Sequence, residues 1–391
     1  MTSRLPLAGV TVVAVEQAVA GPLATRHLAD LGARVIKIER PGEGDFARHY
    51  DHAVRGLATH FVWLNRGKES VALDLKSDRG QRIVRALIAR ADVFLHNTAP
   101  GVVERLGLDA DTLRAADPRL VVVNISGYGT SGPRRDRKAY DMLIQAESGM
   151  VSVTGTPETA TKTGVPSADI AAGLYAAMSA LGALVRRGQT GEGAVVDVSM
   201  FDAAVEWMGH PLYMQLYGGR QIPRMGLSHA AIAPYDAYPT ADGQILIGVQ
   251  NDRGWRALMT DVFGHPEYAA DPRFVTNVDR VANREQCDAV VASFTSGWPT
   301  AQLDERLAQT GIPAAQLNDT ADLVEHPQLA ERDRWRTVGT ETGDIRALLP
   351  PMTFRDVELP MGAIPALGEH TDSVIAELGL DTEPTKEPSD A

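Results

Sequence analysis

Residues 9–39 read GVTVVAVEQAVAGPLATRHLADLGARVIKIE, and the order of patterns within them decides the fold. Gly9–Val15 is a short β-branched run, the signature of a buried strand. Ala20–Gly32 reads as a helix, and Ala33–Glu39 as a second strand. This is a β–α–β unit with Gly21-Pro22 at the strand-to-helix junction, the turn where such folds bind ligands. Glu39 stands where a dinucleotide-binding chain holds a ribose, but the first turn lacks the G-x-G-x-x-G fingerprint, which argues against a nicotinamide cofactor.

The pattern repeats outward from this unit. Ser70–Leu75 reads as a strand, Ser77–Arg90 as a helix, Asp92–His96 as a strand, Gly101–Ala116 as helical and Leu120–Ser126 as a strand. Such alternation predicts a mostly parallel sheet covered on both faces. Gly127, Gly129 and Gly132 match G-x-G-x-x-G, but PRRDRKAYD follows them instead of an apolar helix start, so the match is read as chance. The basic group Arg134, Arg135, Arg137 and Lys138 fits either a phosphate contact or a solvated loop.

Gly164–Gly188 reads GVPSADIAAGLYAAMSALGALVRRG. Asp169 heads an uncharged run, Ile170–Val185, closed by Arg186, Arg187 and Gly188, which predicts a core helix capped by Asp169. Two readings follow. Asp169 is a plain N-cap worth about 0.5–2 kcal/mol, or the helix N-terminus holds it ionised and aimed at a substrate.

Gly193–Met200 reads as a strand, Phe201–Tyr217 as a helix and Gly218–Ser228 as a connector. A second, smaller domain is expected from Ser228 to Ala330. It opens on a hairpin at Asp242-Gly243, with helices over 252–263, 282–296 and 300–310. The tail is expected to supply a strand at TFRDVELP (353–360), a helix at HTDSVIAELGL (370–380), and a disordered polar end from Thr382.

The 391 residues carry a net charge of −12, which argues against a nucleic-acid or membrane-surface binder. Any anionic ligand needs a local cluster of Lys and Arg. The single cysteine, Cys287, rules out an intramolecular disulfide and a thiolate-rich metal site. No H-E-x-x-H, C-x-x-C or G-x-S-x-G pattern occurs, so no metal is expected and no serine-hydrolase elbow. His210, His229 and His370 stand alone in sequence. The N-terminus runs straight into a strand pattern, and Ile170–Val185 is too short for a membrane span, which makes a cytoplasmic protein the expectation.

Taken in order, the motifs resemble the class III CoA-transferases, the family of formyl-CoA transferase and carnitine CoA-transferases, with α-methylacyl-CoA racemase as a relative. The resemblance runs over nearly the whole chain. It is carried by AGPLATRHLADLGARVIKIERPGEGD (20–45), LNRGKESVALDLK (64–76) and ADVFLHNTAPGVVERLGL (91–108). RLVVVNISGYGTSGP, YDMLIQAESGMVSVTG (140–155), GVPSADIAAGLYAA, TGEGAVVDVSMFDA and ALGEHTDSVIAELG (366–379) continue it.

The resemblance implies an α/β fold. A Rossmann-like, CoA-binding large domain (1–200 and 331–391) has its parallel sheet built from both chain ends. A linker (201–227) leads to a smaller inserted α+β domain (228–330), and two chains interlock as a homodimer. It also implies that Asp169 is the nucleophile, forming first an acyl-aspartyl anhydride and then an aspartyl-CoA thioester. Val19, Ala20, Arg40, Lys68, Asn97, Thr98, Arg105, Lys138 and Tyr140 are the implied coenzyme A contacts, with the cations serving the phosphates. Acyl-CoA and small carboxylic acids are the implied substrates.

The alternative is a 2-methylacyl-CoA racemase, whose histidine and glutamate fall at Tyr140 and Asn251 here. Tyr140 is too weakly acidic to replace a histidine near neutral pH, which favours the transferase. The run of glycines that closes over the nucleophile in formyl-CoA transferase is missing. QAESGMVSVTG and VQNDRGW look most similar to members that act on short dicarboxylic acids, for which Arg220, Arg224 and Arg253 are candidates to hold the second carboxylate.

Overall fold

The computed structural model describes residues 5–380. The predicted repeat appears as β1 (Thr11–Val15), α1 (Ala20–Asp30), β2 (Arg34–Glu39), β3 (Lys68–Ala72), α2 (Asp78–Ile88), β4 (Val93–His96) and β5 (Val121–Ser126). Then come α3 (Asp141–Glu147), α4 (Ser167–Thr190), β6 (Val195–Ser199) and α5 (Met200–Trp207). The strands form one sheet in the order β3-β2-β1-β4-β5-β6, and every pairing is parallel.

The β-branched runs are what a sheet buried on both faces requires. Val12, Val35, Leu95 and Val123 pack on one side with α1 and α4. Their neighbours Val13, Ile36, Phe94 and Val122 pack on the other side with α2, following the two-residue alternation of a strand. The strand order reverses between β1 and β4, and in such sheets ligands bind beyond the carboxyl ends of the strands at that point.

Three expectations change. Among the described residues, the C-terminal part adds no strand to the parallel sheet. Residues 353–360 lack regular structure, and the tail strands Trp335–Val338 and Ile345–Leu348 form a separate antiparallel hairpin. The tail meets the sheet at the free edge of β3, where Gly368 N–H donates to Ser70 Oγ (2.9 Å), His370 N–H to Ser70 O (2.9 Å) and Ala72 N–H to Thr371 Oγ1 (2.9 Å).

The second change concerns the central helix. It starts at Ser167, and Gly188 lies inside it; it ends at Gly191, whose φ of 78° suits glycine. By length and composition it could cross a membrane, but Ala171, Ala172, Ala176 and Ala180 are fully buried in the core beside α1 and the sheet.

The third change concerns boundaries. The larger compact unit takes residues up to Met150, Thr163–His210 and those from Asp333 onward; the smaller takes Val151–Lys162 and Pro211–Arg332. Residues 201–207 are therefore helix within the larger unit. Residues 151–162 join the smaller one because Gly226 N–H donates to Gly155 O (2.8 Å) and Arg224 to the carbonyls of Thr156 and Pro157 (both 3.0 Å). Inside the smaller unit, Tyr235–Pro239, Gln244–Gly248 and Ala314–Gln316 make an antiparallel sheet around Trp255, Phe274, Cys287 and Leu303. The polar end from Thr382 lies outside the described residues.

Candidate active site

The turn leaving β1 is held from three sides. Asn97, at the end of β4, accepts Gln17 N–H (2.9 Å) and donates to Gln17 O (2.8 Å). Ala18 adopts φ +60°, a region that L-residues avoid, and its N–H donates to Asp45 Oδ1 at 3.0 Å. Lys37, fully buried in β2, donates to Asp45 Oδ2 (2.9 Å) and Glu16 O (3.3 Å). Gly21 is required where α1 starts, since a Cβ there would stand 2.9 Å from Glu16 Cβ. Burial opposes the charge on Lys37, but Asp45, Glu16 and Glu39 outweigh it and raise its pKa. Glu39 meets no ribose: its carboxylate is taken by Arg48 (2.8 and 2.9 Å) and Ser70 (2.6 Å). Burial is outweighed there by Arg48 and Lys37, which bring Glu39 down to about 2.

Asp169 is the third residue of α4, not its cap. The capping carboxylate is Asp141, at the start of α3, whose Oδ1 accepts the N–H groups of Ala168 (2.8 Å) and Asp169 (3.3 Å). These are the second and third helical donors that a cap satisfies. Gln145, fully buried, donates to Asp141 Oδ2 (2.7 Å) and accepts from Thr163 N–H (3.0 Å), which locks the cap in place.

The Asp169 carboxyl, half-buried and unneeded as a cap, is therefore free for other work. Burial, helped by the Asp141 charge, pushes it up to about 7, against the pull of the Ala20 N–H. The expectation of a carboxylate ionised by its own helix is corrected: α4 spends its N-terminus on Asp141, and the donor that favours ionised Asp169 comes from the first residue of α1. Gly173 permits this approach, because a Cβ there would stand 2.7 Å from Ala20 O.

A cavity of about 410 Å³ opens at the carboxyl ends of β1 and β4, and Asp169 lines it. Ala20, Asn97, Thr98 and Tyr140 share its wall, as do the cations Arg40 and Lys138. Gln17 and Arg137 line it as well; Arg137 belongs to the basic group that fits a phosphate contact, whereas nothing in the sequence marks Gln17. Arg40 pairs with Glu43 at 2.6 Å, and both are exposed.

Three of the expected contacts stand elsewhere. Val19 is buried beneath the turn in an apolar cluster with Leu23 and Leu64. Arg105 is exposed and does not line the cavity. Lys68 is buried, and its ammonium is taken by Glu16 Oε1 (2.7 Å), Pro22 O (2.9 Å) and Asn65 Oδ1 (3.0 Å). Burial lowers its pKa to about 8 despite Glu16. In the smaller unit Asn251 caps a helix through Gly254 N–H (2.8 Å), and Arg224 is engaged by backbone carbonyls as described. A second cavity of about 410 Å³ shares Thr98, Pro100 and Ser126 with the first and is lined by His96, which burial pushes down to about 4. Among the described residues, no histidine lines the cavity of Asp169.

The sequence pattern of CoA-transferase family III matches residues 7–371. The chain is 38% identical over 330 residues to acetyl-CoA:oxalate CoA-transferase of Acetobacter aceti, covering 84% of this chain and 85% of that protein. It is 33% identical to succinate–glutarate CoA-transferase of Agrobacterium fabrum, over 95% of this chain and 96% of that protein. A crystal structure of a CaiB/BaiF family protein from Brucella suis superposes with a TM-score of 0.85 at 36% identity, covering 96% of this chain and all of that one. A cavity at the sheet's switch point with a carboxyl and cations on its wall agrees with these likenesses, and the chain belongs to CoA-transferase family III as a CoA-transferase enzyme.

Proposed function

We propose that this enzyme moves coenzyme A from an acyl-CoA donor to a short dicarboxylic acid, with Asp169 as the nucleophile. The single observation that carries the reading is Asp169 itself: a carboxyl freed from capping by Asp141, facing a cavity, and poised to ionise at about pH 7. Ionised Asp169 attacks the thioester carbonyl, the C–S bond breaks, and CoA thiolate leaves an acyl-aspartyl anhydride. The thiolate then attacks the Asp169 carbonyl and expels the donor's acid, giving an aspartyl-CoA thioester. The acceptor carboxylate attacks that thioester and releases the thiolate, which takes the acceptor's acyl group and regenerates Asp169. Each step exchanges one acyl derivative for another with no net oxidation. Binding of the remote CoA body offsets the cost of the anhydrides.

Arg40 and Lys138, with Arg137, are read as the phosphate contacts, and Ala20, Asn97, Thr98 and Tyr140 as the walls of the thioester channel. The name of the Agrobacterium relative supports a dicarboxylate acceptor. The name of the Acetobacter relative keeps oxalate within that class, although no glycine run is present. The racemase alternative would need a histidine as its second proton carrier, and Tyr140 stands at that position on the cavity wall. A homodimer, interlocked as in the family, is part of the proposal; the exposed apolar stripe Leu174, Met178 and Val185 along α4 supports a second chain covering it.

The test mixes succinyl-CoA or acetyl-CoA with oxalate, glutarate, citramalate and mesaconate and follows new acyl-CoA species by mass. Exchange with at least one acid, abolished by Asp169→Ala, is the expected result. No exchange with any acid, together with α-proton exchange on a chiral 2-methylacyl-CoA, would overturn it.

A further inference from the structure

Asp45 does not line the cavity, yet its buried carboxylate holds the backbone that does. Ala18 sits at φ +60°, where an L-residue stays only if something keeps it there. Both peptide groups between Glu16 and Ala18 are gripped from outside: Glu16 O by Lys37, Gln17 N–H and O by Asn97, and Ala18 N–H by Asp45. Asp45 also accepts Ala47 N–H (2.9 Å), and its own N–H donates to Glu39 Oε1 (3.0 Å), itself fixed by Arg48. Its free oxygen meets Lys37, whose side chain is fully buried.

Buried ion pairs are weak devices for stability, since apolar residues of like volume pack as well. An apolar pair could not accept the Ala18 N–H. Two residues on from Ala18, Ala20 opens α1, and its N–H is the donor that reaches the Asp169 carboxyl.

We propose that Asp45, braced by Lys37, is a positioning residue that holds the strained Ala18 turn so that the start of α1 meets Asp169. The inference rests on Asp169 as the nucleophile. Besides Ala20, the groups that face Asp169 are Asp141 from α3, Tyr50, Tyr140, and the cavity cations Arg40, Arg137 and Lys138. All of these stay unchanged in the test.

The test compares the full-length protein with Asp45→Asn, which keeps the shape and removes the charge that Lys37 braces. With the donor and acceptor that the wild type uses, kcat falls about ten- to a hundredfold, as for a misplaced reacting group, while KM for acyl-CoA stays within about twofold, because Asp45 touches no part of the cavity. The acid limb of the rate profile moves to higher pH, because a retreating Ala20 N–H favours protonated Asp169. Adding Ala18→Gly, which relaxes the left-handed strain, restores at least about threefold of the lost kcat. If Asp45→Asn does not fold, Lys37→Met with Asp45→Leu removes both charges and the acceptor of the Ala18 N–H, and carries the same expectations.

A readout without turnover is the pH at which the gain in melting temperature from Asp169→Asn levels off, which the folded-state titration sets; it moves upward in the Asp45→Asn background. A lower melting temperature with unchanged kcat and unchanged titration, or no rescue by Ala18→Gly, overturns the inference. An inactive wild type would instead overturn the reading of function, and the melting comparison would still decide the role of Asp45.

Discussion

Asp141 Oδ1 lies 2.8 Å from the N–H of Ala168 and 3.3 Å from that of Asp169, so one carboxylate caps the helix on which the other is mounted. The arrangement divides two tasks that a single aspartate would otherwise combine. Asp141 satisfies the helix and holds its first turn still. Asp169 keeps a free carboxyl and experiences Asp141 as a like charge.

Asp141→Asn separates these effects. An asparagine still caps through its carbonyl oxygen, so α4 keeps its start, while the repulsion of Asp169 is gone. The titration of Asp169 falls below about 7, and the ratio of kcat/KM at pH 6 to that at pH 8 rises. A pH profile identical to the wild type would show that Asp141 does not tune the nucleophile.

Asp169→Asn should stabilise the protein while destroying turnover. The folded pKa, about 7, lies above the ordinary aspartate value of 3.8. The folded state therefore binds more protons than the unfolded chain between these values, and stability declines as pH rises through that window. Above it, Asp169→Asn recovers an amount on the order of 2–4 kcal/mol, since each tenfold change in proton affinity is worth about 1.4 kcal/mol. Thermal melting should show a gain at pH 8 that vanishes below pH 4; an equal gain at both pH values would refute the assignment.

Lys68 and Lys138 should behave as opposites. Lys68→Met leaves Glu16 buried with Lys37 at 3.5 Å and Thr25, at a cost of about 3 kcal/mol in stability and with little effect on the KM for acyl-CoA. Lys138→Ala and Arg40→Ala leave melting nearly unchanged and raise that KM about five- to tenfold at low salt, less at high salt. Chemical denaturation and steady-state kinetics on the three variants check this directly.

Gly173→Ala places a methyl group 2.7 Å from Ala20 O and 3.1 Å from Leu23 Cβ. The two helices must part by a few tenths of an ångström or more, costing about 1–3 kcal/mol and drawing the Ala20 N–H away from Asp169. Turnover should fall more than the melting temperature implies. Full activity in a destabilised variant would mean that this contact serves packing alone.

Much of the fold was legible because a parallel sheet leaves a strong mark. Runs such as VVAV, VFLH and VVVNIS have no polar face to obscure them. Asp169 was legible through its place before a long uncharged run. Its cap was not, because Asp141 reaches it across 28 positions and a helix accepts a cap from anywhere that geometry allows. Lys68 looked like a phosphate ligand because the sequence gives its charge and not its neighbours. The cue was available in part: Lys37 inside the apolar run RVIKIE and Glu16 at the end of VVAV are opposite charges in strands that must be buried. The tail strand failed because Val357 and Leu359 pack on the core with Glu358 exposed between them, an alternation that fits a strand, while the backbone there joins no ladder.

The seam between Ser70 and residues 368–370 joins parts of the chain separated by almost 300 positions. The outer edge of β3 is thus unsealed while the chain is being made, and stays so until the whole smaller unit has emerged. That unit, with its own core, has time to form first. The helix Thr371–Glu377 then acts as the closing piece of the larger one, covering an edge that would otherwise pair with other chains. Loss of the chain from Gly368 onward would therefore be felt first as aggregation during synthesis rather than as damage at the distant nucleophile.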